Sequence, residues 1–185
     1  MKITVKNINL NFPFDKYCKL IFAVVPTKDL VGISEIRFVD EYARSKTDRD
    51  ALARYLQGNK GRNAVIEIHI PNILKGKIHE FTFTNYPEVA AMLVSQVIFH
   101  EIGLHVHKFK RHGVQKEEME VFAAQYTTAC YYRYLSSRRA KILAEYNKAS
   151  RNTQEIDEEG RNAARNSRGE IIAWLEQYKE GVPFP

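Results

Sequence analysis

Residues 86 to 112, Tyr-Pro-Glu-Val-Ala-Ala-Met-Leu-Val-Ser-Gln-Val-Ile-Phe-His-Glu-Ile-Gly-Leu-His-Val-His-Lys-Phe-Lys-Arg-His, limit most strongly what this chain can fold into. Pro87 stands where a first helical residue tolerates a missing amide, and Val89, Ala90, Met92, Leu93, Val94, Val97, Ile98 and Phe99 follow it. A helix apolar on so much of its surface needs a core on most sides. The same stretch holds four of the six histidines, His100, His105, His107 and His112. His100, Glu101 and His105 are set into apolar surroundings, where a polar group costs free energy unless it finds a partner. A metal ion is one such partner.

In the pattern His-Glu-x-x-His, two imidazoles one helical turn apart bind zinc and the glutamate is the base for a metal-bound water. Here the second histidine's place is Leu104, and the imidazole comes one residue later at His105. A step of four separates two side chains by about 40° around a helix, and a step of five by about 140°. His100 and His105 therefore share an ion only on a distorted helix. A one-residue π-bulge at Gly103, a weak helix former, would align them. Pairing Glu101 with His105 instead would consume the proposed base. A catalytic zinc takes three protein ligands and keeps an open position. The third donor would come from the start of the next helix, where Glu117, Glu118 and Glu120 sit.

The 185 residues suffice for one domain with a sizeable core, and the 44% hydrophobic content is that of a globular chain. A net charge of +6 permits an acidic partner, nucleic acid or a membrane surface without requiring one. Cys18 and Cys130 lie far apart without a Cys-x-x-Cys spacing, which fits free thiols in a reducing compartment. The N-terminus alternates polar and apolar residues without a signal-peptide core, and no run is expected to cross a bilayer. These features imply a soluble cytoplasmic protein with no membrane partner.

In chain order, Ile3, Val5, Ile8, Leu10 and Phe12 predict a strand over residues 2 to 12 with a bulge or turn near Asn7. Residues 17 to 25 suit a strand or a short buried helix. Residues 33 to 42 resemble a strand, and Thr47 or Asp48 caps a predicted helix through Leu56 that Gly58 ends. The cleanest strand is 64 to 70, stopped by Pro71, with His69 as an ordinary strand residue. Residues 73 to 84 stay unassigned. After the long helix, His112-Gly113 form a C-cap, and a second helix runs from about Gln115 to about Lys148 on the apolar positions Met119, Phe122, Ala123, Tyr126, Ala129, Cys130 and Tyr134. A polar connection over 149 to 168 leads to a last amphipathic helix over 170 to 178. Residues 1 to 148 thus form the domain, and 149 to 185 a charged connection with a C-terminal helix docked on it.

Strands, then a buried helix with Phe-His-Glu-Ile-Gly, then Glu118-Met119-Glu120-Val121-Phe122-Ala123-Ala124 opening the next helix, resemble a small gluzincin, the compact zincin family of zinc metallopeptidases. The likeness covers roughly residues 30 to 130 and is most specific over 97 to 124. It implies an α+β, zincin-like fold: a small N-terminal sheet packed on the active-site helix, a second long helix and a C-terminal helical arm. It further implies His100 as first zinc ligand, Glu101 as general base, Glu118 as third ligand and Glu120 as a supporting polar residue; the second ligand falls on Leu104, which cannot bind zinc, and His105 is a proposed substitute rather than a match. A peptide or protein would be the substrate.

The rival expectation is a catalytically inactive zincin-fold binding or scaffold protein, favoured by Leu104, that contacts an acidic partner through its basic C-terminal arm. Arg138, Arg139 and Lys141, with Tyr131, Tyr132 and Tyr134 upstream, suggest nucleic acid for that role. The ordinary alternative is the wet and packed sides of one helix. His105, His107 and His112 likewise suggest a separate surface metal site, against which solvated histidines are the plain expectation.

Overall fold

The alternation that begins the chain forms a strand, β1 (Lys2–Lys6), and ends at Asn7, whose φ of 56° lies in the left-handed region that asparagine tolerates. The computed structural model describes residues 1–40, 50–58, 63–76, 80–110 and 116–151. The open choice over 17 to 25 resolves as helix: α1 (Phe14–Phe22) buries Phe14, Tyr17, Cys18 and Ile21, a three-and-four spacing that makes one packed face. A 3-10 turn (Thr27–Leu30) follows, and Gly32, with φ of 89°, turns the chain into β2 (Ile33–Val39).

Pairing across space overrules local pattern at the next element. The described part of the helix expected up to Leu56 is instead a strand, β3 (Ala53–Leu56), antiparallel to β4 (Ala64–His69), with Tyr55 opposite Ile66. Strand formation depends on such neighbours more than on intrinsic preference. The expected caps Thr47 and Asp48 lie outside the described residues. The sheet runs in the order β1-β2-β4-β3, with β1, β2 and β4 parallel. Ile36, Phe38, Ile66 and Ile68 join the core, and the alternate residues Arg37 and Glu67 form an ion pair at 3.3 Å.

Pro71, expected as a stop, opens a helix instead: α2 (Ile70–Gly76) begins at the end of β4. The unassigned residues contribute α3 (Glu80–Asn85). The long apolar helix α4 (Pro87–Lys110) and the helix α5 (Lys116–Arg151) form as expected and pack on each other. The result is α+β, a small mixed sheet with long helices. Helix α5 continues through Arg151, so residues 149 to 151, expected as the start of the polar connection, are helical; the rest of that connection, the expected cap at His112-Gly113 and the final helix over 170 to 178 lie outside the described residues.

Residues Pro87–Lys108 correct the expectation about membrane spans, since this segment is long and apolar enough by length and composition, with a mean hydropathy of 1.5. The fold buries 67% of that window, with Ala90, Ala91, Ile98, Phe99 and Ile102 in the core.

Gly103 is not a bulge; α4 is continuous helix through it. A β-carbon there would stand 2.8 Å from the Ala123 Cα and 3.2 Å from the Tyr126 Cβ, so glycine lets α5 approach the backbone of α4. Gly103→Ala should destabilise the protein by about 1–3 kcal/mol through overpacking. In an uncrowded helix the same change would gain about 1 kcal/mol. Urea unfolding of the variant gives the sign.

Candidate functional site

Gln96, Val97, His100 and Glu101 recur on α4 at the spacing of one helical stripe, and on α5 Glu120, Ala124 and Thr127 do the same. Between these stripes and the segment Ala51, Leu52 and Ala53 lies a cleft of about 490 Å³, lined by Gln96, Val97, His100, Glu101, Ala124 and Thr127 on the helical side. Most of its wall is alanine, leucine and valine.

Glu101 lines this cleft and is 7% exposed. Its carboxyl accepts no hydrogen bond from any described residue. Burial first, and then the carboxylate of Glu120, push it up to about 7 from the ordinary 4.5. His100 Nε2 stands 3.1 Å from Glu120 Oε2 and donates to it, because a carboxylate can only accept. The glutamate that meets the first proposed ligand is therefore Glu120.

The proposed zinc triad does not assemble. Glu118 is exposed, and two residues turn a helix by about 200°, so it leaves α5 on a different side from Glu120. His105 is buried elsewhere: its Nε2 donates to the Val31 carbonyl at 2.8 Å and its Nδ1 accepts from the Tyr55 hydroxyl at 2.9 Å. A carbonyl can only accept, so the neutral ring carries its proton on Nε2 and both nitrogens are in use. Burial also lowers the affinity of this imidazole for a second proton, against the Val31 hydrogen bond and the nearby Asp29. Among the described residues no group of three or more histidine, cysteine, aspartate or glutamate side chains could hold a metal ion. His100, His105 and Glu118 thus do not fit the zinc that the resemblance implies.

The step from a histidine at the fourth place to one at the fifth has a structural use in this chain. It turns the imidazole away from the cleft and into a polar seam under the 3-10 turn. There Tyr126 also donates to buried Asp29 at 2.9 Å. Tyr55, Asp29 and Tyr126 were not legible as a group, because their partners lie between 50 and 97 residues away. His107 corrects the expectation of solvated histidines, being buried with its ring 4.9 Å from that of Phe122. His112 lies outside the described residues. His69 is a buried strand residue with Nε2 3.9 Å from Glu67.

The basic cluster on α5 is divided. Arg138 is 12% exposed and binds Glu88, while Tyr134 is fully buried; only Arg139 and Lys141 of the expected cations are on the wet side. Neither a family model, nor a curated protein, nor a solved structure matches this chain.

Proposed function

We propose that the chain is a polypeptide-binding domain of zincin-like design, which keeps a cleft and the glutamate of its His100-Glu101 pair without the donor set of a catalytic zinc. The observation that carries this is Glu101, a buried carboxyl facing a cleft with no hydrogen bond from a described residue. A group desolvated in that way costs stability, and such sites are where function is found. The cleft adjoins β3, the last strand of the sheet order, and an edge strand offers backbone N–H and C=O groups that an extended segment can pair with. Apolar walls supply the remaining contact.

Titration of isotope-labelled protein with a pool of short unstructured peptides tests this. Saturable amide shifts should appear at residues 51 to 56, 96 to 101 and 124 to 127. Ala124→Trp, which fills the cleft from an exposed position, should abolish them. A pool that leaves these amides unmoved would remove the proposal.

A second function is favoured by the place of Glu101, a buried carboxyl lining the cleft beside His100, where burial and the Glu120 carboxylate push it up toward the range that suits a general base near neutral pH. Glu101 would then take a proton from water attacking a bound carbonyl and return it to the leaving amine. Mass spectrometry of the same peptides should reveal cleavage that Glu101→Gln abolishes. Intact peptides across the pH range would leave binding alone.

A further inference from the structure

Resting on the polypeptide-binding proposal, we infer that the cleft selects a basic side chain, lysine or arginine, on the bound segment. Glu101 would be its charge partner and Leu52, Ala53, Val97 and Ala124 would line its methylene stem. Two independent features lead here. The cleft wall is mostly apolar, at Ala51, Leu52, Ala53, Val97 and Ala124, which suits the stem of an amphipathic side chain whose charged end needs a different environment. Within that wall stands one buried carboxyl, 7% exposed, that no described residue hydrogen-bonds. Its volume of about 490 Å³ is ample for a whole side chain.

The electrostatics select the sign of the guest. Glu101 and Glu120 are close enough that the charge on one disfavours the charge on the other. An ammonium or guanidinium entering between these walls relieves both the desolvation and the repulsion, and it forms charge-assisted hydrogen bonds to a carboxylate that receives none from a described residue. An apolar guest relieves neither, and an acidic guest adds a third negative charge. Among the described residues lining the cleft, His100 is the cation-capable one, and it is already turned onto Glu120. The overall charge of +6 does not oppose this, because exposed charges beyond about 10 Å are screened at ordinary salt.

The test uses the full chain and four peptides identical except at the central residue, which is lysine, arginine, norleucine or glutamate, titrated calorimetrically at about pH 8 so that Glu101 is ionised. The lysine and arginine peptides should bind at least about tenfold more tightly than the norleucine peptide, with the glutamate peptide weakest. Glu101→Gln should bring the lysine peptide to the level of the norleucine peptide measured on the same variant, with a cooperative thermal unfolding transition showing that the variant is folded. Glu120→Gln, which sits at an exposed position, should reduce the discrimination less. Equal binding of lysine and norleucine peptides, or discrimination that survives Glu101→Gln, would overturn the inference and leave polypeptide binding standing. If none of the four peptides bound, and the mixed pool also failed, both would fall together.

Discussion

Arg138→Met is expected to lower the unfolding free energy by about 3 kcal/mol, the lower end of what breaking one side of a buried ion pair costs. Arg138 donates through Nε to Glu88 Oε2 at 3.0 Å and through its terminal nitrogen to Oε1, and the two side chains are 12% and 7% exposed. Without Arg138 the Glu88 carboxylate keeps the Tyr17 hydroxyl at 3.3 Å and the favourable first turn of α4, which softens the loss. The effect reaches further than one pair. Glu145, on the same helix as Arg138, accepts from the backbone N–H groups of Glu88 and Val89 at 2.8 and 3.1 Å and so caps α4 from another element. Urea unfolding measures the cost. The double change of Glu88 to Leu and Arg138 to Met should recover much of it, since an apolar replacement leaves no uncompensated charge. A loss equal to the sum of the two single changes would show that the pair is not coupled.

Glu101→Gln is expected to raise stability by about 3 kcal/mol above pH 7 and to change it little below pH 4.5, the span set by a shift from 4.5 to about 7 at about 1.4 kcal/mol per unit. The folded chain holds the Glu101 proton to a higher pH than the unfolded chain does. Below 4.5 both states are protonated and the group is neutral in the balance. Between 4.5 and 7 the folded state binds more protons, so stability falls as pH rises, and above 7 the penalty is complete. The amide of glutamine carries no such penalty. Denaturant titrations of parent and variant at both ends of this window measure the difference, which should shrink toward acid. A constant difference across the range would mean that Glu101 titrates normally and is hydrated.

Part of the site was legible from spacing alone. His100 and Glu101 stand out because polar residues interrupt an apolar helix, and both do line the cleft. The choice among Glu117, Glu118 and Glu120 was not legible, since it depends on how α5 is rotated against α4. That rotation is set where Gly103 admits the backbone at Ala123. The wall at Ala51 to Ala53 was hidden for another reason: four residues of strand have too little local pattern to compete with a capping signal.

What the sequence by itself determined are the elements whose pattern repeats over many residues: the two long helices, the alternating strands β1 and β4, the turn at Asn7 and the burial of α4. Periodicity is a local property, and a long repeat leaves only one face that can meet a core. Tertiary structure alone decided that residues 53 to 56 form an edge strand, that His105 serves Tyr55 and Val31, and that Arg138 serves Glu88. Each of these joins groups nine or more residues apart, and a side chain's partner at that distance depends on how whole elements pack rather than on neighbours in the chain.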